Sequence, residues 1–175
     1  MSSRHLPISQ KLFTIHAKIL TYMKLIVQIA CYNEEKVLPI TLSELPREME
    51  GFDKVEWLSI DEGSTDNTVE VAKSHGVDHI VRFTKHQGLA KGFVAGIDAC
   101  LRLGANVIVT TDADNQYNAR DIPKVIKPIL DGKADIVVGA RSIEEIKHFS
   151  PVKKISPENR QLGSPYCEQR VTDKK

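Results

Sequence analysis

The sequence contains few cysteines, and the three present, Cys31, Cys100 and Cys167, are widely spaced with no CxxC or Cys/His pattern. A zinc site is therefore not expected, and an odd number of scattered thiols favours a reducing compartment. No apolar stretch approaches the roughly 20 residues that cross a bilayer, and residues 1–10 lack a signal-peptide core. We expect a cytoplasmic protein whose contact with a membrane would be peripheral.

Common catalytic signatures are missing as well. The sequence has no GxxxxGK[ST] P-loop, no GxSxG nucleophile elbow and no arrangement typical of a cysteine nucleophile with its histidine base. The histidines are scattered, and only His86 lies near the edge of the predicted site, so none is assigned to catalysis.

Acidic side chains are scarce at the two ends of the chain. Residues 1–24 hold four basic and no acidic side chains, and residues 147–175 hold seven basic against three acidic ones. Because the whole chain has a formal net charge of +1, residues 25–146 carry −7. A nucleic-acid-binding surface is basic, so no nucleic-acid partner is expected. An acidic body instead suits carboxylates gathered around a divalent cation.

Short apolar runs alternate with segments of helical periodicity. The predicted strands are 24–31, 54–60, 79–83, 106–111 and 135–140, and the predicted helices are about 35–49, 65–75, 88–103 and 120–131. Apolar runs without alternation, separated by helix-length segments, are typical of a mostly parallel sheet with helices on both faces. The fold class is therefore α/β, in a doubly wound single domain.

Local residues mark where these helices begin and end. The glycines expected as left-handed C-caps are Gly76, Gly104 and Gly132. Ser64 or Thr65 is expected to cap the second helix. The first helix is the least regular, because Pro39 and Pro46 lie in or beside it.

The domain is predicted to span residues 24–150. Residues 1–23 form an extension that is either a basic amphipathic helix lying on a membrane surface or a loosely packed appendage, and we favour the appendage. Residues 151–175 are rich in proline and poor in apolar residues, so an irregular or disordered tail is expected there.

Asp112 and Asp114 follow the fourth predicted strand. Ligands of such sheets bind beyond the carboxyl ends of the strands. Two carboxylates one residue apart suit Mg²⁺ or Mn²⁺, which complete their coordination with water and substrate phosphates. The alternative is that Asp114 caps a following helix or turn. The position at a strand end favours the metal.

Acidic residues also follow the first two strands. Asp61 and Glu62 come after the second strand, and because helix capping does not require two consecutive acids, ligand contact is favoured for Asp61. Glu34 and Glu35 come after the first strand, where the favourable interaction of acids with a helix N-terminus explains both.

Two basic residues near the strand ends have open interpretations. Lys91 either reaches a phosphate or is solvated, and the neighbouring Gly92 is equally explained by close packing of helix on sheet. Arg141 follows the fifth strand and either holds a phosphate bidentately or pairs with Glu144 or Glu145.

Five motifs stand in order along residues 24–150. They are IACYNEE (29–35), IDEGSTDNT (60–68), HQGLAKGFVAGI (86–97), TTDADNQY (110–117) and VVGAR (137–141). In this order and spacing the chain resembles a family 2 glycosyltransferase of the GT-A fold. The similarity is greatest to the polyprenyl-phosphate (dolichol-phosphate) mannosyl- and glucosyltransferases.

The resemblance implies roles for individual residues. Ala30, Tyr32 and Glu34 would line the nucleoside pocket, which reverses the interpretation of Glu34 given above. Asp61 would contact the base or ribose, and Lys91 is a further candidate for nucleotide binding.

The resemblance also implies a metal site. Asp112 and Asp114 would hold Mg²⁺ or Mn²⁺ and, through it, the donor diphosphate. Gln116 would lie beside that site, and Arg141 would face a phosphate of donor or acceptor. These acids and Arg141 are the candidate catalytic residues.

The implied reaction moves a sugar from a nucleotide-sugar donor such as GDP-mannose or UDP-glucose to a polyprenyl phosphate at the cytoplasmic membrane face, with inversion at the anomeric carbon. The acceptor phosphate is already anionic, so it needs little or no general base.

The chain departs from the family pattern in two places. Glu62 stands where a second aspartate is usual, and the acceptor-side segment that normally follows the GAR motif is not found before Lys175. We therefore expect a chain truncated at its C-terminus. It is either an active transferase, with a minimal acceptor site or completed by a membrane subunit, or a non-catalytic nucleotide-sugar and metal-binding module. A nucleotidyltransferase, which would release pyrophosphate, fits the motifs poorly.

Overall fold

The structure is a computed structural model that describes residues 22–139. In chain order, its elements are β1 Lys24–Cys31, α1 Leu38–Glu44, β2 Lys54–Asp61, α2 Thr68–Ser74, β3 His79–Arg82, α3 Leu89–Arg102, β4 Val107–Asp112, a 3-10 turn Ala119–Asp121 and α4 Ile122–Leu130. The described residues form two compact units, 22–119 and 120–139, and the sheet belongs to the first. The predicted tail 151–175 and all but the last two residues of the predicted extension 1–23 lie outside the described residues.

Within residues 22–139 the sheet has four strands in the order β3-β2-β1-β4, and every neighbouring pair is parallel. Burial does not alternate along the two central strands: residues 25–29 of β1 and residues 55–61 of β2 are all buried. Both faces of the sheet's centre are therefore covered, as expected for parallel strands joined by helical crossovers. The predicted α/β fold class is confirmed.

One helix covers the face of the sheet formed by alternate residues of β1 and β2. Ile26, Leu58 and Ile60 are almost completely buried on that face, and they form a core cluster with Cys100 of α3. The helix α3 contacts β1, β2 and β3. Gly92, in the first half of α3, lies against Glu62, so the amino end of the helix is near the end of β2.

The first and last predicted elements differ from the structure. The helix α1 is shorter than the predicted 35–49 because Pro39 occupies its first turn and Pro46 follows its C-cap residue Leu45. The fifth strand predicted at 135–140 is not formed by residues 135–139. Ile136 and Val138 are 65% and 66% exposed there, so these side chains lack the burial that is typical of a parallel strand.

Candidate functional site

The strand order reverses direction at β1, which lies between β2 and β4. In register, Cys31 at the end of β1 lies beside Asp61 of β2, and Ala30 lies beside Asp112 of β4. The pairing continues beyond the strands, because Ala113 N donates to Ala30 O (3.1 Å). The residues predicted from three separate motifs thus lie at one edge of the sheet, at the topological switch point where ligands of such folds bind. We call this the carboxyl edge: the residues that end or follow β1, β2 and β4.

The buried thiol of Cys31 reports the charge at this edge. Burial raises the pKa of Cys31 to about 12, although a hydrogen bond with Ser59 acts to lower it. The negative charges of Asp61, Glu34 and Asp112 raise that pKa further. Carboxylates from the end of β2, the end of β4 and the loop after β1 therefore act on one atom, which gives the carboxyl edge a negative electrostatic potential.

Glu34 lies in the loop between β1 and α1. Its carbonyl oxygen accepts a hydrogen bond from Leu38 N (2.9 Å), so Glu34 precedes the helix and does not open it as the helix-dipole interpretation required. Burial, followed by the charges of Asp114 and Asp66, raises the pKa of Glu34. The side chain of Glu34 is therefore close enough to Asp114 to be repelled by it.

The loop after β1 is tied to the loop after β2 by side-chain hydrogen bonds. Asn33 N donates to Ser64 Oγ (2.9 Å), and Thr65 N donates to Asn33 Oδ1 (2.8 Å). Glu34 N donates to Thr68 Oγ1 (2.8 Å). Asn33 has a φ of 56°, a left-handed conformation that asparagine tolerates better than most residues.

These bonds overturn the prediction that Ser64 or Thr65 caps the second helix. The hydroxyl of Ser64 is used by the β1 loop, and α2 begins only at Thr68. The N–H of Thr68 donates instead to Asp66 Oδ1 (3.0 Å). Asp66 also accepts a hydrogen bond from Glu35 N through Oδ2 (3.2 Å), so one carboxylate serves both loops.

Asp61 is completely buried. Its Oδ1 accepts a hydrogen bond from Ser64 N (3.0 Å), which fixes the turn after β2. Its Oδ2 lies 3.1 Å from Nε of the half-exposed Arg82 but makes no hydrogen bond within the described residues. The carboxylate is thus held rigidly by one oxygen, while the other lacks the hydrogen bond that a buried charge requires.

Asp112 is the last residue of β4, and Asp114 lies in the turn that follows. Gln116 N donates to Asp114 Oδ1 (3.1 Å), and Asn115 adopts a φ of 55°. The turn-forming alternative considered for Asp114 is therefore realised, but it uses only one lone pair of one carboxylate oxygen. Thr41 of α1 donates to the carbonyl oxygen of Ala113 (2.7 Å) and fixes the turn from the side.

Glu62 and His86 belong to the site although the residue pattern gave neither a role. Glu62 is 4% exposed, and one of its oxygens, Oε2, lies 3.3 Å from His86 Nδ1. The ring of His86 lies 4.6 Å from that of Tyr32, with an interplanar angle of 38°. The signal in the sequence was the substitution of the usual aspartate by the longer Glu62, which reaches a residue of another motif.

The remaining predicted residues are placed as follows. Ala30 is half-buried in β1, beside Asp112. Lys91 is exposed in the first turn of α3. Its Nζ donates to the side chain of Gln87, just before the helix, through Oε1 (3.4 Å). Arg141 lies outside the described residues.

The sequence matches the family profile described as glycosyl transferase family 2 over residues 26–172, which is most of the chain. The chain belongs to glycosyl transferase family 2. The resemblance drawn from the five motifs is thereby confirmed. No helix among residues 22–139 of this family 2 chain is both long and apolar enough to cross a membrane.

The relatives of the family 2 chain include proteins with named activities. It is 30% identical over 145 residues to the UDP-N-acetylglucosamine–dolichyl-phosphate N-acetylglucosaminyltransferase of Methanococcus voltae, covering 73% of this chain and 56% of that protein. It is 28% identical over 125 residues to the undecaprenyl-phosphate mannosyltransferase of Micrococcus luteus, covering 69% of this chain and 49% of that protein. The chain thus spans about half the length of the curated relatives it matches.

A solved structure gives the same fold. The mannosyltransferase of Pyrobaculum calidifontis, determined in complex with GDP-Man and Mn²⁺, is similar with a TM-score of 0.53 and 23% sequence identity. The similarity covers 75% of this chain and 43% of that one. This likeness confirms the predicted GT-A fold for the family 2 chain.

Proposed function

We propose that this chain moves a sugar from a nucleotide-sugar donor of the GDP-mannose or UDP-glucose type to a polyprenyl phosphate, with assistance from a divalent metal and inversion at the anomeric carbon. Membership of glycosyl transferase family 2 supports the reaction class. The named activities of the relatives from M. voltae and M. luteus support a lipid-linked phosphate as the acceptor.

The observation that carries the proposal is the concentration of carboxylates at the carboxyl edge. Asp61, Glu34 and Asp112 all act on the thiol of Cys31, and Asp114 acts on Glu34. Holding several negative charges close together is unfavourable unless a cation compensates them. A nucleotide-sugar donor binds such a cation through its diphosphate. The repulsion between the carboxylates of the free site would therefore favour binding of the donor together with its cation.

The donor atoms fit Mg²⁺ or Mn²⁺ bound jointly by protein and substrate. No group of three or more His, Cys, Asp or Glu side chains converges as a metal site within residues 22–139. The two carboxylates of Asp112 and Asp114 would supply only part of the ligands of a bound ion. Mg²⁺ is commonly held by one or two carboxylates together with substrate phosphates, and Mn²⁺ accepts the same oxygen ligands. The metal in the structure from P. calidifontis supports this assignment.

The residues of this chain divide the work of the reaction. Asp61, immobilised by Ser64 N, presents a fixed carboxylate to the base or ribose, and Glu34 and Ala30 border the same nucleoside pocket. Asp112 and Asp114 would hold the cation, which when bound would neutralise charge developing on the leaving nucleoside diphosphate. Lys91 and Arg141 are candidates for contact with phosphate.

The acceptor needs little activation. A phosphate oxygen of the polyprenyl phosphate forms the bond to the anomeric carbon while the bond from that carbon to the donor diphosphate breaks, which inverts the configuration. Because the attacking oxygen is already anionic, no proton must be removed first. A lipid acceptor implies that the protein works at the cytoplasmic face of a membrane as a peripheral protein, with a membrane subunit as a further partner of the complete system.

Calorimetric titration of the 175-residue chain with GDP-mannose, UDP-glucose and UDP-GlcNAc, each with and without Mn²⁺, tests the proposal. We expect one donor to bind only in the presence of metal, and Asp114→Ala to abolish that binding. Asp98→Ala is the matched control, because Asp98 is an exposed acid of α3 paired with Arg102. It should bind like the wild type.

Transfer itself is measured with the donor so identified, radiolabelled in the sugar, and a short-chain polyprenyl phosphate. Formation of labelled lipid together with release of the nucleoside diphosphate supports the full reaction. Metal-dependent donor binding without transfer would favour the non-catalytic module, and the absence of binding to any donor would reject both functions for this chain.

A further inference from the structure

Glu62 holds a buried charge that the proposed function does not use. Its side chain is only 6% exposed, and its Oε1 makes no hydrogen bond within the described residues. A buried carboxylate with one unsatisfied oxygen destabilises the fold. A purely structural role would be served better by an apolar side chain of similar size, so the position of this charge calls for another explanation.

The fold makes room for Glu62 at a specific place. A Cβ atom added to Gly92 in α3 would lie 2.5 Å from Glu62 Oε1, closer than any real contact of this kind. The absence of a side chain at Gly92 thus lets the carboxylate lie against the helix. From there its second oxygen reaches His86 Nδ1 at 3.3 Å. The carboxylate is therefore directed at one edge of the His86 ring.

The other side of this arrangement is an aromatic pair. Tyr32 follows β1, His86 precedes α3, and their ring centroids are 4.6 Å apart. The residue Tyr32 is 46% exposed and the side chain of His86 is 50% exposed, so each ring keeps about half of its surface open to solvent. At this separation, and with an interplanar angle of 38°, the two rings pack obliquely against each other, so a flat aromatic ligand at the carboxyl edge can stack on the exposed part of either ring.

We propose that Tyr32 and His86 form the stacking surface for the base of the donor nucleotide, and that Glu62 is a positioning residue that holds the His86 ring in place. This inference rests on the proposed function, because the base is that of the nucleotide-sugar donor. It adds to that function a second aromatic contact, His86, and a reason for the buried Glu62. The ligand chemistry is a planar purine or pyrimidine, and the diphosphate lies elsewhere.

The role of His86 is tested by calorimetric binding of UDP, GDP, UMP and GMP to His86→Ala and His86→Asn. Asparagine can still donate a hydrogen bond to Glu62 but has no ring. For the nucleotides that the wild type binds, we expect both variants to weaken diphosphate and monophosphate binding alike, on the order of tenfold, as loss of base–aromatic stacking does. His75→Ala, which alters an exposed histidine at the end of α2, is the matched control and should bind like the wild type.

The positioning role of Glu62 is tested by a double-mutant cycle. Glu62→Gln preserves length and an acceptor oxygen, so it should bind within about threefold of the wild type. Glu62→Ala should lose as much affinity as His86→Ala, and combining the two should cause no additional loss, since both remove one contact surface. Additive losses would contradict the positioning role. Circular dichroism of each variant separates these effects from unfolding.

The outcomes distinguish this inference from the proposed function. If the wild type binds no nucleotide, the proposed function fails, and the inference fails with it. If the wild type binds a donor with Mn²⁺ and Asp114→Ala does not, but His86→Ala and His86→Asn bind normally, the inference alone is overturned. A loss confined to the diphosphates would likewise overturn it, since His86 would then contact phosphate.

Discussion

At the scale of single residues, Glu56 illustrates how this sheet carries a buried charge successfully. Its carboxylate lies in β2 with 6% of the side chain exposed. Lys54 Nζ lies at 2.6 Å, Lys24 Nζ at 3.2 Å and His79 Nε2 at 3.1 Å from its oxygens. Burial alone would raise the pKa of Glu56, but the hydrogen bonds from Lys54, His79 and Lys24 outweigh burial and lower that pKa to about 2.

This network predicts the acid sensitivity of the fold. The pKa of Glu56 is lower in the folded than in the unfolded chain, so its ionised form stabilises the fold above the ordinary pKa of 4.5, and that stability is lost as the pH falls from there toward 2. We expect Glu56→Gln to lower the free energy of unfolding at pH 7 by about 2 kcal/mol, because its amide forms weaker hydrogen bonds with the lysines. Urea unfolding between pH 3 and pH 7 measures both effects. The variant should lose less stability on acidification than the wild type, and parallel pH profiles would contradict the prediction.

At the scale of elements, the packing of α3 depends on a glycine in its middle. A Cβ atom added to Gly96 would collide with Gln28 Oε1 and with Ile60 Cδ1 of the core cluster. Gln28 is fully buried and donates through Nε2 to Thr110 Oγ1 (2.7 Å), so it has little room to move. The helix therefore approaches β1 and β2 more closely than any larger residue would allow.

Gly96→Ala is expected to destabilise the protein by about 1–3 kcal/mol because of this overpacking. Helix propensity alone predicts the opposite sign, a gain of about 1 kcal/mol on replacing glycine by alanine. The exchange Ala90→Gly, at an exposed position of the same helix, measures the propensity effect without the collision. Urea unfolding of the two variants shows whether overpacking or helix propensity is the larger effect. A Gly96→Ala variant more stable than the wild type would mean that Gln28 and Ile60 move aside at little energetic cost.

The positions of strands and helix ends were predictable from the sequence where they depend on neighbouring residues in the chain. The apolar run at 24–31 coincides with β1, and the three left-handed glycines expected after helices are found at Gly76, Gly104 and Gly132. The roles of Ser64 and Asn33 were not predictable, because their hydrogen bonds join residues 31 positions apart. Such pairs depend on the register of β1 against β2, which hydrophobic periodicity does not determine.

The candidate site was predictable to the same degree. The motifs and the rule for parallel sheets brought Asp61, Asp112 and Glu34 to one edge, where the structure also has them. The contact of Glu62 with His86 was not predicted, since it depends on a side chain reaching over the first turn of α3. A sequence motif indicates which residues meet at a strand end, but the partner of each oxygen requires coordinates.

At the scale of the whole molecule, negative charge is concentrated where an anionic donor is proposed to bind. Residues 25–146 carry a net charge of −7, and four of their carboxylates interact at the carboxyl edge. Without a cation, this field repels a diphosphate and destabilises the fold locally through self-repulsion. If the proposed function is correct, the arrangement is a compromise between stability of the free protein and affinity for a metal-bound donor, of the kind expected at functional sites.

Asp114→Asn tests this compromise. Asparagine retains a carbonyl oxygen for Gln116 N but removes the charge that acts on Glu34, so the free variant should be more stable at pH 7, by up to about 1 kcal/mol. The wild type should gain about 2.7 kcal/mol from donor at 100 times its Kd in the presence of Mn²⁺, and EDTA should remove that gain. The variant should gain little under the same conditions. Thermal unfolding with and without Mn²⁺ and the donor identified by calorimetry measures each quantity.

Asp98→Asn is the control: it removes an acidic charge outside the site and should keep the full gain in stability from the ligand. If Asp114→Asn instead lowered the stability of the free protein and kept the full ligand gain, Asp114 would serve the turn alone, and the charge at this edge would need another explanation.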